Sequence, residues 1–118
     1  MCGWIVVVGR QGQAFEPSGL ARAMAALAHR GPDDSGRFER GAVSMGFQRL
    51  AIIDLTPGGH QPMRSADGHH VIVFNGEIFN YRELRSELQG LGQRFVSDSD
   101  TEVLLAAYGQ WGRRCVDR

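Results

Sequence analysis

Apolar and polar positions recur with distinct periods along this 118-residue chain, and each period predicts an element. Trp4 to Val8 is an unbroken, β-branched apolar run closed by Gly9, which predicts a strand buried on both faces. Gly9 to Gly12 reads as a turn, and Pro17 suits the first turn of a helix. Leu20, Met24 and Leu27 recur at i, i+4 and i+7 beside Ala23 and Ala28, so the helix runs to about His29 before Gly31-Pro32 ends it. Ser35 to Glu39 and Ala42 to Arg49 form a hairpin pattern around Arg40-Gly41. In its second arm Val43, Met45 and Phe47 alternate with Ser44, Gly46 and Gln48. Leu50 to Ile53 stays apolar up to Asp54, and Thr56 to Gly68 is a loop by its Pro and Gly content.

The second half opens on Val71 to Phe74, a predicted central buried strand that stops at Asn75-Gly76-Glu77. Asn80 is the predicted cap of a helix, with Glu83 completing a capping box and Phe79 with Leu84 a hydrophobic staple. Leu84, Leu88 and Leu91 form its apolar stripe, and Gly90 to Gly92 ends it. Phe95-Val96 is a short predicted strand, followed by a polar corner from Ser97 to Asp100. Ser99 with Glu102 predicts a second capping box, opening a helix with Val103, Leu104, Ala107, Tyr108 and Trp111 on one face. About three helices and five or six strands without strict βαβ alternation predict a mixed, layered α/β fold, not a doubly wound sheet. The sequence has no internal repeat and no low-complexity segment.

Composition narrows the class. The length suits one modest domain, able to bury roughly two thirds of its unfolded surface. Thirteen basic residues balance 13 acidic ones, so no electrostatic footprint for nucleic acid or an anionic membrane exists. Trp4 to Val8 is too short for a signal peptide and lacks a basic flank, and no stretch approaches a membrane span. These features predict a cytoplasmic chain with reduced thiols. Cys2 and Cys115 make a weak disulfide case, and Cys115 reads as a small buried hydrophobe. His69 and His70 are adjacent on a strand and point to opposite faces, while His29 and His60 lack partners at ligand spacing, so no metal site is expected. Tyr81, Phe95, Tyr108 and Trp111 read as core or interface aromatics. The chain stops at Cys115 to Arg118 with no Gly, Pro or polar tail closing the last helical pattern, and is expected to be cut within a larger domain.

Candidate chemistry starts at Cys2. Removal of Met1 would leave an amino-terminal cysteine. A free α-amino group titrates at about 7.7–8.0, against about 8.5 for a free thiol, so the amine can act as base for its own sulfur. Taken alone, a cysteine at position two is more often incidental. Asn75 and Gly76 could offer a side-chain NH₂ and a backbone N–H to an oxyanion, each such donor worth about 3–4 kcal/mol in a transition state; the alternative is a plain Asn-Gly turn. Arg49 suits bidentate capture of a carboxylate, or is a solvated strand end. Asp100 could receive a substrate ammonium, or serve as a first-turn charge on its helix. Glu77 could do the same, or hold its loop by accepting backbone N–H groups. Together these are what is needed to hold a free α-amino acid while attacking its side-chain amide, and composition does not separate glutamine from asparagine.

Met1-Cys2-Gly3, His29-Arg30-Gly31-Pro32-Asp33-Asp34, Arg49-Leu50-Ala51-Ile52-Ile53-Asp54, Gln61-Pro62-Met63, Phe74 to Tyr81 and Ser99-Asp100-Thr101-Glu102 follow one another in order. This set resembles the amino-terminal glutaminase domain of glutamine-hydrolysing asparagine synthetases, which are class II glutamine amidotransferases. The resemblance covers essentially the whole chain. It implies an α+β fold, a four-layer α-β-β-α sandwich of the N-terminal-nucleophile hydrolase type, with residues 2–118 as the N-terminal portion of a type 2 domain truncated at its C-terminus. It also implies release of ammonia from glutamine. On the matching positions Cys2 would be the nucleophile and Asn75 with Gly76 the oxyanion hole. Arg49 would bind the α-carboxylate, Asp100 and Glu77 would face the α-amino group, and the backbone of Ile53 would lie along the substrate. His29 to Asp34 would form a loop near the pocket.

Phe47-Gln48 stands where the family usually has His and a basic residue, and Trp4 replaces a smaller aliphatic; neither touches a proposed catalytic role. The family's ATP-using synthetase domain carries a Ser/Gly-rich pyrophosphate loop. No such loop and no Walker-type motif occurs here, so no cofactor is expected in this chain, with ATP and Mg confined to the synthetase domain. The expected partners are glutamine and that domain in a full-length chain, with a homodimer left open and neither nucleic acid nor membrane. Two other readings stand beside this one. The domain could serve another class II amidotransferase, a glucosamine-phosphate or phosphoribosylamine synthase. Or it could be a silent remnant acting as an interaction or folding module, its apolar sheet edges seeking partners.

Overall fold

The alternation of Val43, Met45 and Phe47 is realised in an antiparallel hairpin of β2 (Asp34–Arg40) and β3 (Val43–Arg49), reversed at Gly41 with φ of 57°. The left-handed φ there is the conformation glycine adopts without penalty. The computed structural model describes residues 1–118, the side chain of Gln11 excepted. It is an α+β fold of two small antiparallel sheets and three α-helices. The chain divides into two units. The first is Met1–Ala51 with His60–Pro62 and Val73–Asn75; the second is Ile52–Gly59 with Met63–Ile72 and Gly76–Arg118.

In the first unit β1 (Gly3–Val8) pairs antiparallel with β3, giving the strand order β1-β3-β2. Gly3 faces Gln48 and Val8 faces Val43, while Asp34 faces Arg49. The helix α1 (Pro17–Ala26) starts on Pro17 as predicted and buries Leu20 and Met24. It packs on the sheet face that carries Ile5 and Gly46, where a Cβ on Gly46 would stand 2.6 Å from Met24 Cγ. The absence of a side chain at Gly46 therefore sets how closely helix and sheet approach. The helix ends at Ala26, short of the predicted His29, and a single 3₁₀ turn, Ala28–Arg30, follows. The expectation that β1 is buried on both faces is not met: Trp4, Val6 and Val8 are 50%, 38% and 67% exposed. β1 is the edge strand of its sheet, and α1 lies on the opposite face, so an all-apolar sequence has only one covered side.

In the second unit β4 (Met63–Arg64) pairs antiparallel with β5 (Val71–Ile72). The predicted central strand from Val71 to Phe74 is thus laddered only at its first two residues. Phe74 instead donates its backbone N–H to the buried side-chain oxygen of Gln61 at 2.6 Å, both residues lying in the first unit. The helices α2 (Tyr81–Gly90) and α3 (Asp100–Trp111) pack together around Leu84, Leu88, Val103, Ala107 and Cys115. Cys115 is a buried apolar filler, as its sequence context indicated, and both cysteines are free. Leu105 is buried on a further side of α3, which also touches β4 and β5; Tyr108, predicted inside, is exposed and meets the His70 ring edge-on at 5.3 Å.

Three local predictions fail. Asn80 is the N-cap residue of α2, but its side chain accepts no cap hydrogen bond and its NH₂ donates to the Arg118 carbonyl. Phe79 is 92% exposed and staples nothing. Phe95-Val96 forms no strand; Phe95 packs on the core beneath the Arg85 guanidinium, 4.6 Å from the ring centre. For Asn80 and Phe95 a tertiary partner outcompeted the local pattern. No helix among the described residues is long and apolar enough to cross a membrane.

Candidate active site

β1 and β3 bring two of the predicted residues to one end of their ladder. Extending the Gly3–Gln48 pairing by one residue sets Cys2 across from Arg49. The Cys2 thiol is bracketed by one residue's main chain: Leu50 donates its N–H to Sγ at 3.3 Å, and Sγ donates to the Leu50 carbonyl at 3.4 Å. The Cys2 carbonyl accepts the Arg30 Nε–H at 3.1 Å. Both backbone and side chain of Cys2 are therefore tied down, and the residue is half-buried.

Arg49 closes β3 and is only 7% exposed, so the solvated-strand-end alternative does not describe it. It pairs across the ladder with Asp34, and its carbonyl accepts the Asp33 N–H at 3.0 Å. The Asp33 carboxylate in turn accepts the Ala51 N–H at 2.9 Å. Asp34 also meets His60 Nδ1 at 2.7 Å, a pairing that sequence spacing did not reveal. Gly31 lies flush against this strand end: a Cβ there would stand 2.4 Å from the Arg49 carbonyl carbon. The His29 to Asp34 loop thus packs and hydrogen-bonds directly on the segment that carries Arg49.

Asn75 is half-buried and ends the first unit's Val73–Asn75 segment; Gly76 and Glu77 are exposed and begin the next stretch of the second. Gly76 is not among the positive-φ glycines, which are Gly12, Gly41, Gly68, Gly92 and Gly112. A left-handed turn is therefore not what glycine supplies there.

In the second unit Asp100 is the first residue of α3 and is 5% exposed. Its Oδ2 accepts the Ile78 N–H at 3.1 Å, one residue after Glu77. Ile53 is half-buried, next to the buried Asp54. Asp54 was not singled out by sequence, yet its carboxylate accepts the Thr56 N–H at 2.8 Å, the Thr56 hydroxyl at 2.6 Å and the Asp98 N–H at 3.0 Å. The Asp-Leu-Thr order was the available signal, since an aspartate that accepts from the residue two further on makes an Asx turn. A cavity of about 220 Å³ between the β4–β5 hairpin and α3 is lined by Arg64, His70, Arg94 and Leu105 among others, and holds none of the seven predicted residues.

The thiol at position two is thus gripped by main chain at the end of the β1–β3 ladder, where β3 closes on a buried arginine. Residues 1–118 match the family model described as the glutamine amidotransferase domain. The chain belongs to that family. It is 47% identical over 111 residues to asparagine synthetase [glutamine-hydrolyzing] 1 of Bacillus subtilis, covering 92% of this chain and 17% of the relative. It is 38% identical over 121 residues to asparagine synthetase [glutamine-hydrolyzing] 1 of Arabidopsis thaliana, covering 99% of this chain and 20% of the relative. A third relative, amidase chry2 of Gibberella zeae, is 38% identical over 95 residues, covering 79% of this chain and 14% of its own. The chain thus spans no more than about a fifth of the length of these relatives, as the 17% and 20% figures record.

Proposed function

We propose that this domain hydrolyses the side-chain amide of glutamine through a Cys2 thioester and supplies the ammonia to an asparagine-synthetase-type domain. The observation that carries the reading is the whole-chain family match together with the placement of Cys2, its thiol held by Leu50 and its position opposite Arg49. Removal of Met1 turns Cys2 into the terminal residue and gives it an amine within reach of its own sulfur. The amine takes the thiol proton, and the thiolate attacks the glutamine Cδ. The Asn75 NH₂ and the Gly76 N–H donate to the oxyanion. As the tetrahedral species collapses the C–N bond breaks, and the terminal ammonium returns its proton to the leaving nitrogen, which departs as ammonia. Water then cleaves the γ-glutamyl thioester to glutamate and regenerates the thiol. Arg49 holds the α-carboxylate, Asp100 and Glu77 the α-ammonium, and the Ile53 backbone flanks the chain between them.

In this reading residues 2–118 belong to a four-layer α-β-β-α sandwich of the N-terminal-nucleophile hydrolase type in a cytoplasmic enzyme, with a homodimer as one arrangement. ATP and Mg serve only the synthetase domain; residues 1–118 contain no glycine-rich phosphate loop that would fit them, and no step here passes through either. The exposed apolar stripe Trp4, Val6 and Val8 favours the second reading, an interaction module. Glutamate release from glutamine decides between them. Wild-type protein should release glutamate, Cys2→Ala should not, and an uncleaved tag ahead of Cys2 should abolish release. Equal release by Cys2→Ala refutes the thioester, and equal release with a blocked amino terminus refutes the self-base role. Intact mass reports whether Met1 has been removed.

A further inference from the structure

The corner from Val96 to Asp98 is held by two carboxylates that touch no proposed reacting atom. Glu102, in the first turn of α3, accepts the Val96 N–H at 2.9 Å, the Ser97 N–H at 2.8 Å and the Ser97 hydroxyl at 2.6 Å. Asp54 accepts the Asp98 N–H at 3.0 Å while closing its own turn on Thr56. Three consecutive backbone N–H groups are thereby taken by two anions. The Ser97 hydroxyl works in both directions, donating to Glu102 and accepting the Ser99 N–H at 3.3 Å. Ser99 then caps the helix by accepting the Thr101 N–H. The Ser97 carbonyl accepts from Arg85 at 2.6 Å. Packing tightens the same place, since a Cβ on Gly58 would lie 2.8 Å from Ser97 Cβ.

We infer that Glu102 and Asp54 are positioning residues that fix the Asp100 carboxylate against the α-ammonium of the substrate. The inference rests on the reading above that Asp100 receives that group. Asp100 follows this corner directly and is buried, with Oδ2 committed to the Ile78 N–H. Its direction is therefore set by the backbone at residues 99 and 100, and that backbone is suspended from Ser97 and Asp98. A capping box would have sent Glu102 back to Ser99 alone. Here it reaches past Ser99 to Val96 and Ser97 and holds the whole corner. Charge-assisted bonds of this kind are short and about twice as strong as neutral ones, which suits a strut that must not yield.

The test compares glutamine with glutaramate, which has the same amide and carboxylate but no α-amino group, in the full-length protein. The readout is the ratio of kcat/KM for the two amides. Glu102→Gln should lower the preference for glutamine by about tenfold, through KM, with turnover of glutaramate within about twofold of wild type. Ser97→Ala, which removes one donor and leaves the carboxylate, should lower it by about threefold. Circular dichroism confirms folding, and if Glu102→Gln does not fold, the Ser97→Ala ratio decides alone. An unchanged ratio in a folded variant, or equal losses on both amides, overturns the inference. If Cys2→Ala is inactive while the Glu102→Gln ratio stays at the wild-type value, the positioning role falls and the thioester reading stands. A wild type indifferent to the α-ammonium overturns the assignment of Asp100 and this role with it.

Discussion

Gly31→Ala should damage both stability and glutamine hydrolysis, and the size of the effect can be worked from geometry. Gly31 has φ of −158° and ψ of 90°, extended backbone that alanine adopts freely. The obstacle is space. A Cβ there would stand 2.4 Å from the Arg49 carbonyl carbon, 2.5 Å from the Gln48 oxygen and 2.6 Å from the Gln48 carbonyl carbon. Ordinary contact begins at 3.4 Å, and all three atoms are main chain in a paired strand, so no side chain can swing aside. The end of β3 must retreat by about 1 Å, and overpacking on that scale costs about 1–3 kcal/mol or more. The entropic gain of replacing glycine with alanine, about 0.4–1 kcal/mol, works against this but is smaller. The segment that would move carries Arg49 and the Leu50 groups on the Cys2 sulfur. Misplacement by about 1 Å costs on the order of 10²-fold in rate when it reaches a reacting group. Urea unfolding measures the first loss and glutamate release the second. Gly109→Ala is the control: it lies within α3 with nothing within 4 Å of the new Cβ, and should stabilise by about 0.5–1 kcal/mol. A Gly31→Ala protein within about 0.5 kcal/mol of wild type, with unchanged hydrolysis, would refute the steric reasoning.

Leu88 is fully buried at the contact of α2 and α3, and Leu88→Ala should cost about 2–5 kcal/mol in urea unfolding. The Asp67 carboxyl titrates below its ordinary value because the Ser65 hydroxyl donates to it at 2.5 Å, with the His69 N–H adding at 3.0 Å. A depressed carboxyl stabilises the β4–β5 turn above the unfolded-state pKa and loses that contribution as pH falls through the folded one. Ser65→Ala should therefore move the Asp67 titration upward, read by NMR of its side-chain carbon.

The elements with strong internal period were legible. The β2–β3 hairpin followed from Val43, Met45 and Phe47, α1 from Leu20 and Met24 behind Pro17, and α2 from Leu84 and Leu88. What failed depended on neighbours that spacing does not encode. The apolar run of β1 cannot announce that the strand lies at a sheet edge, and Asn80 cannot announce that its amide will bond Arg118. The site divides along the same line. Cys2 and Arg49 could be singled out because their side chains are chemically conspicuous, and the ladder then brings them opposite each other. Asp54 and Glu102 stayed out of view as supports because an acidic residue beside a turn or in a first helical turn has an ordinary local explanation. Only coordinates reveal that both reach across to the 96–98 corner.

The chain carries one tryptophan in each unit, Trp4 and Trp111. Trp4 is two residues from the thiol and half open to water, whereas Trp111 sits under the Arg118 guanidinium at 4.4 Å. Replacing either one with phenylalanine leaves an intrinsic fluorophore whose emission belongs to a single unit. Superimposed denaturation curves from the two single-tryptophan proteins would indicate cooperative melting, and separated midpoints would reveal which half lets go first.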